Sequence, residues 1–69
     1  MDNSERQVFD AVIEKFKEQY PNRNIEVVKD TYPCDEIVKI DHRTMFNITG
    51  YNLLYNLQRL CKCLEGELI

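Results

Sequence analysis

The sequence predicts an α+β fold, a single two-layer domain in the order α-β-β-β-α. Two helices are expected to pack on one face of a three-stranded antiparallel meander. Both ends of the chain carry apolar residues at helical spacing, and the middle carries short runs rich in β-branched residues between turn residues. A chain of 69 residues makes at most one domain, so residues 1–69 are expected to form one small unit with a thin core.

The first helix is expected from about residue 5 to residue 19. Ser4 and Gln7 have the spacing of a capping box, in which each side chain accepts a hydrogen bond from the other residue's backbone. Pro21 ends the helix, because the residue before a proline is disfavoured in the α region. The apolar face of this helix consists of Val8, Phe9, Val12, Ile13, Phe16 and Tyr20.

Three strands are expected at residues 25–32, 37–41 and 45–49, with a four-residue turn at 33–36. Residues 45–49 could instead be the first turns of the last helix, but Gly50 would cost about 1 kcal/mol inside a helix. We expect Tyr32 to pair with Ile37, and Ile40 to pair with Phe46. Because side chains alternate with period two, this register places six apolar residues on one face: Ile25, Val27, Val38, Ile40, Phe46 and Ile48.

The last helix is expected to begin at Tyr51, with Thr49 as its N-cap. Its apolar residues recur at helical spacing and predict the face that closes the core. They are Leu53, Leu54, Leu57, Leu60, Cys61, Leu64 and Leu68.

The order α-β-β-β-α resembles that of the double-stranded-RNA-binding domain, over most of the chain and in topology alone. That family places a lysine-rich cluster at the start of its last helix, against phosphates. The matching stretch here is Thr49-Gly50-Tyr51-Asn52-Leu53, which contains no base. The resemblance implies nucleic-acid binding as an alternative function. The missing lysine cluster, however, is the part of that family's domain that contacts the phosphates.

Composition restricts the class of partner. The chain carries 12 acidic and 9 basic residues, a formal net charge of −3, which argues against nonspecific binding to a phosphate backbone. No apolar run approaches the roughly 18 residues of a membrane span, and the polar residues 1–5 do not resemble a signal peptide, so the expected location is cytoplasmic. Frequent residues with AT-rich codons are typical of a low-GC genome, such as that of a bacterium or its phage.

Neither a metal site, a cofactor site nor a catalytic site is expected. Cys34, Cys61 and Cys63 with His42 could supply four zinc ligands, but their spacing fits no standard zinc site. Reduced thiols are the favoured alternative, and some disulfide role remains open. His42 is separated from Cys34 by most of a strand, too far for a nucleophile–base pair. We therefore expect a protein that is not an enzyme.

Two surfaces are candidate protein interfaces. One is the outer face of the sheet, where the register places Val28, Tyr32, Ile37 and Met45 together, as a site for another copy of the chain or for a target. The alternative is that these are scattered apolar residues of ordinary surface.

The other candidate interface is the row of Tyr51 and Tyr55 on the last helix, continued by Gln58 and Lys62. The alternative is that the tyrosines pack over the sheet edge or over the first helix. An acidic row on the first helix, formed by residues 10, 14 and 18, could mimic DNA phosphates but fits a solvated face better.

The function expected from these features is that of a small non-enzymatic protein-binding module. It would act as a regulator or stoichiometric inhibitor that covers a surface of its partner. A phage-encoded inhibitor of a host or defence protein is one such case. The partner would be another protein of unknown identity, with a homodimer left open as an alternative. The alternatives are a nucleic-acid-binding domain and a small structural subunit of an assembly.

Overall fold

The computed structural model describes residues 1–30 and 35–65, and it confirms the predicted α+β fold. The elements are α1 (Asn3–Gln19), β1 (Ile25–Lys29), β2 (Glu36–Ile40), β3 (Arg43–Asn47) and α2 (Leu53–Glu65). The strands form one antiparallel sheet in the order β1-β2-β3. Residues 43–47 are therefore a third strand and not the start of the last helix. No helix within the described residues is long and apolar enough to cross a membrane.

Helix α1 is capped two residues earlier than predicted. Asp2 is the N-cap: its Oδ1 accepts from the Glu5 backbone N–H at 2.8 Å, and the Glu5 carboxylate accepts from the Asp2 N–H at 3.2 Å. The predicted Ser4/Gln7 box is wrong, because Asp2 and Glu5 offer the same spacing with two carboxylates at the positive end of the helix dipole. The helix ends at Gln19, just before Pro21, as predicted.

The strands pair with a different register from the one predicted. Val27 lies opposite Val38, and Val28 lies opposite Ile37, where Tyr32 was expected. The error arose from the assumed four-residue turn at 33–36, because β1 ends at Lys29 and β2 already begins at Glu36. Residues 31–34 lie outside the described part of the chain. The shift is an even number of residues, so the same side chains still face the helices.

Phe46 pairs with Val38 and not with Ile40 as predicted. The reason is a β-bulge at Val38/Lys39, which leaves Met45 as an extra residue between Thr44 and Phe46. The link between β2 and β3 is also shorter than predicted, because β3 begins at residue 43.

The β2–β3 turn consists of Asp41 and His42, with φ values of 55° and 68°. Positive φ at both central residues is the geometry of a type I′ turn, which suits the twist of a two-residue hairpin. The Asp41 carboxylate accepts from the Asn24 backbone N–H at 3.0 Å and from Arg23 Nε at 2.7 Å. These two hydrogen bonds, that from Asn24 foremost, lower the pKa of Asp41 and join the turn to the α1–β1 connection.

Replacing His42 with glycine is expected to raise the free energy of unfolding by about 0.5–1 kcal/mol, because an L-residue in the left-handed region is strained and glycine is not. Chemical denaturation of the wild type, His42→Gly and His42→Ala measures the effect. The alanine variant keeps the strain and should show no gain. Equal gains in both variants would show that the histidine ring is unfavourable there, rather than its backbone conformation.

The core lies between the helices and one face of the sheet. Its buried residues are Phe9, Ile13, Ile25, Val38, Ile40, Phe46, Ile48, Leu60 and Leu64. Leu53 and Leu57 pack against this cluster, but Leu54 is 66% exposed, so its predicted place on the apolar face is wrong. At 100° per residue, Leu54 points about 120° away from Leu60 around the helix axis. The predicted Leu68 lies outside the described residues.

Helix α2 begins two residues later than predicted. Asn52 caps it, since its Oδ1 accepts from the Tyr55 backbone N–H at 2.8 Å. Thr49, the predicted N-cap, instead uses its hydroxyl to accept from the Glu36 backbone N–H at 2.8 Å. It thereby fastens the end of β3 to the start of β2.

Candidate functional site

The two tyrosines singled out from the sequence meet on the surface beside α2. The rings of Tyr51 and Tyr55 have centroids 5.2 Å apart, with 35° between their planes. Their exposed fractions are 42% and 44%, and Leu54, which precedes Tyr55 in the first turn of α2, is 66% exposed. Together with Arg59 these three residues form what we call the tyrosine surface.

Arg59 holds the tyrosine surface together. Its guanidinium carbon lies 4.6 Å from the ring centroids of Phe46 and Tyr51 and 4.7 Å from that of Tyr55. Such cation–π contacts each stabilise by about 0.5–2 kcal/mol. Its Nη2 donates to the backbone carbonyl of Asn47, at the end of β3. The tyrosines are therefore tied through Arg59 to the sheet, and not only to their own helix.

The guanidinium is not fully hydrogen-bonded. Arg59 Nε is buried, and no described residue accepts a hydrogen bond from it. A buried donor without a partner costs about 1–3 kcal/mol, which the three aromatic rings offset.

Asn56, on the core side of α2, holds the start of this helix in place. It is fully buried, and its Nδ2 donates to the backbone carbonyls of Ile48 at 3.3 Å and Tyr51 at 3.4 Å. Its Oδ1 accepts from Arg59 Nη2 at 3.4 Å. One side chain thus contacts the backbone of Tyr51, the end of β3 and the guanidinium that supports both tyrosines.

Sequence reasoning missed Arg59 and Asn56. Arg59 lies one turn beyond Tyr55, so an i, i+4 aromatic–arginine pair was available as a signal. The contact with Phe46 was not, because it depends on how α2 crosses the sheet. Asn56 lies one turn before Leu60 on the core side of the helix, and a polar residue in that position is itself a sign of a buried hydrogen bond.

Acidic residues are absent between Asp41 and Glu65, a stretch that includes all of α2 except its last residue. Residues 51–64 contain Arg59 and Lys62 but no acidic residue, although the whole chain has 12. The tyrosine surface is therefore an aromatic and apolar patch with positive charge inside an acidic protein.

The apolar patch on the outer sheet face is smaller than predicted. Val28 and Ile37 are partners across β1 and β2, and both are half-buried. Polar residues flank them: Glu26 pairs with Lys39 on one side, and the Asp35 carboxylate accepts from Asn47 Nδ2 at 2.7 Å on the other. Met45 is exposed in the bulge of β3, and Tyr32 lies outside the described residues. Of the four residues predicted on this face, Val28 and Ile37 are therefore direct neighbours.

The remaining polar candidates are dispersed or already paired. Cys61 and Cys63 are half-buried free thiols, and burial raises the pKa of Cys63, while Cys34 lies outside the described residues. Within residues 1–30 and 35–65, no three metal-ligating side chains converge. In the acidic row of α1, Asp10 pairs with Arg6 at 2.9 Å and Glu14 pairs with Lys17 at 3.1 Å, as in an ordinary solvated helix face.

A surface cavity of about 240 Å³ lies between the first turns of α1 and the β3–α2 connection. Arg6 and Glu36 both line it and form an ion pair with each other, so neither charge is left free for a ligand. Its lining residues are Met1, Asn3, Arg6, Glu36, Ile48, Thr49 and Gly50.

No family model matches the sequence, and no curated protein or solved structure is significantly similar to it.

Proposed function

We propose that the protein is a non-enzymatic protein-binding module, which acts as a regulator or stoichiometric inhibitor by covering a surface of another protein through its tyrosine surface. One observation carries this proposal. Among the described residues, five large hydrophobic side chains are exposed, and three of them are Tyr51, Leu54 and Tyr55. Isolated exposed hydrophobic residues are ordinary, but three within five residues at the start of one helix favour an interface.

The tyrosine surface has the composition and rigidity of an interface centre. Tyrosine and arginine are enriched among residues that dominate binding energy. Because Arg59 already holds both rings, a partner would not have to immobilise them, which saves about 0.5–1.5 kcal/mol for each side chain. Fully burying Leu54 would contribute about 1.5–3 kcal/mol more.

The charges of α2 favour a partner with an apolar centre and an acidic rim. Arg59 and Lys62 are the charged residues of α2 that precede Glu65, its last residue. The acidic remainder of the chain would repel the same partner elsewhere, which favours one orientation of docking.

The compartment that the proposal assumes is the cytoplasm. Two half-buried thiols, Cys61 and Cys63, form no disulfide in the described structure, and reduced cysteines are typical of a reducing compartment.

Nucleic-acid binding is the second candidate, because aromatic rings beside basic residues are also typical of single-strand binders. Against it, the Arg59 guanidinium is packed among three rings and donates to a backbone carbonyl, which leaves Lys62 as the exposed base of α2. The net charge of −3 further disfavours phosphate contacts. Phosphate binding would weaken steeply with salt, whereas an apolar protein interface would not.

Replacing Leu54 with aspartate is expected to weaken partner binding at least about tenfold while leaving the fold intact, because the side chain is exposed in the free protein and would be buried in the complex. Val8→Asp, on an exposed part of α1, is the matched control and should bind like the wild type. Affinity capture from lysate of the source cells, followed by titration of the captured protein with all three baits, measures the difference.

Equal affinity for Leu54→Asp and the wild type would remove the tyrosine surface from the interface. Capture of nucleic acid alone, with affinity falling steeply between low and physiological salt, would replace this proposal with the second candidate.

A further inference from the structure

The two edges of the sheet differ in how they expose backbone hydrogen-bonding groups. The Asp30 N–H donates to the Asp35 carbonyl at 2.8 Å, and the Asp41 N–H donates to the Asn24 carbonyl at 2.7 Å. In an antiparallel ladder, residues bonded to the neighbouring strand recur at every second position. The N–H and C=O groups of residues 26 and 28 therefore face β2, and those of residues 25, 27 and 29 point away from the sheet.

The free edge of β1 is regular. Its register with β2 has no bulge, and the strand contains no proline. No described strand pairs with this edge, because the sheet ends there. Three outward N–H groups and three outward carbonyls thus form a ready template for another strand.

The opposite edge of the sheet is blocked. The bulge at Met45 interrupts the regular spacing of β3. The outward carbonyl of Asn47 is already occupied by the Arg59 guanidinium. Bulges and covering side chains are the usual means by which edge strands are protected from pairing. The sheet therefore has one edge open for extension.

We propose that the open edge pairs with the same edge of a second copy of this chain, giving a symmetric dimer with a continuous six-stranded sheet. The two β1 strands would run antiparallel about a twofold axis through Val27. Because the β3 edge is blocked in each copy, the pairing closes at two chains and does not propagate into a fibre.

Charge selects the register of this pairing. With Val27 opposite Val27 of the second copy, Ile25 faces Lys29 and Glu26 faces Val28, so no like charges lie directly opposite. A shift of two residues in one direction would place Glu26 against Glu26, and in the other direction Glu26 against Asp30. Directly opposed like charges destabilise a strand pair. The sequence of β1 is thus self-complementary in one register.

The dimer would also explain the apolar residues on the outer sheet face. In this register Val28 and Val28 of the second copy are diagonal neighbours, so the half-buried pair of Val28 and Ile37 continues into the same pair of the other chain. Small domains with a thin core commonly gain stability from oligomerisation, and a six-stranded sheet would provide it here. The pairing uses β1, and it is independent of the tyrosine surface on α2.

Concentration-dependent amide exchange tests the proposal on the unmodified protein. Between about 10 µM and 1 mM, the amides of Ile25, Val27 and Lys29 should become protected together with a shift from monomer to dimer in sedimentation equilibrium. The amides of β3 serve as the internal reference and should not change. A protein that stays monomeric at 1 mM, or that dimerises without protecting these three amides, would overturn the proposal.

A pair of variants at one residue tests the same contact. Lys29→Pro removes an outward N–H at an exposed edge position, where proline is compatible with the monomer, and should weaken the dimer about tenfold or more. Lys29→Ala keeps the N–H and should dimerise like the wild type. A folded Lys29→Pro protein, verified by circular dichroism, that dimerises as tightly as Lys29→Ala would contradict the proposed pairing.

Discussion

Truncating Leu60 to alanine is expected to lower the free energy of unfolding by about 2–5 kcal/mol. Leu60 is fully buried in the cluster that joins α2 to α1 and the sheet. The loss combines the transfer energy of the removed carbon atoms with the cavity they leave. Small domains have only about 5–15 kcal/mol of total stability, so this one change removes a large fraction of it.

Leu57→Ala is the matched comparison. Leu57 lies on the same helix but is only half-buried, so its truncation should cost clearly less than that of Leu60. Urea denaturation with a common m-value compares the two. Equal losses, or a larger loss at Leu57, would mean that α2 is rotated about its axis relative to the packing described here.

The fold was predictable because periodicity decides which residues face the core, and it does so without exact pairing. Val38, Ile40 and Phe46 share the buried face in the predicted register and in the observed one, since the two differ by an even number of residues. The register itself depends on turn length and on the bulge at Met45, and neither is encoded in hydrophobic alternation. A two-residue turn of Asp41 and His42 also lacks the glycine that usually marks such hairpins.

The candidate site was only partly predictable for a related reason. Tyr51 and Tyr55 stand out because they are aromatic and lie off the leucine face of α2. Arg59 and Asn56 matter through contacts with Phe46, Ile48 and Asn47, which are close in space but distant along the chain. Local spacing places residues on a helix face, but it does not show which strand that face crosses.

The tyrosine surface and the open edge of β1 lie at opposite edges of the sheet. Arg59 contacts Asn47 on β3, so the tyrosine surface lies beside one edge strand, whereas the proposed dimer forms at β1, the other edge. The dimer would therefore carry one tyrosine surface near each end of its six-stranded sheet. Such a protein could bind two copies of a target, and binding to a dimeric target would gain from the high effective concentration of the second site.

Replacing Asn56 with aspartate is expected to lower the free energy of unfolding by about 2–4 kcal/mol at neutral pH. The substitution keeps the shape of a fully buried side chain but removes the amide donors to the carbonyls of Ile48 and Tyr51. A carboxylate would then face two carbonyl oxygens without a proton to share, and Arg59 would offset only part of that cost. Gln7→Leu, at an exposed position of α1, is a control that should change stability by less than about 0.5 kcal/mol.

The Asn56→Asp deficit should depend on pH in a defined direction. Burial would raise the pKa of the introduced carboxyl above its value in the unfolded chain, so the penalty is full at neutral pH and shrinks as pH falls through the raised pKa. Asn56→Ala carries no titrating group at that position, and its deficit relative to wild type should stay constant over the same range. Urea denaturation of the three proteins from pH 7 to pH 4 measures both deficits. A constant deficit for Asn56→Asp would show that the introduced carboxyl has the same pKa in the folded and the unfolded chain, and would contradict the expected cost of burying its charge.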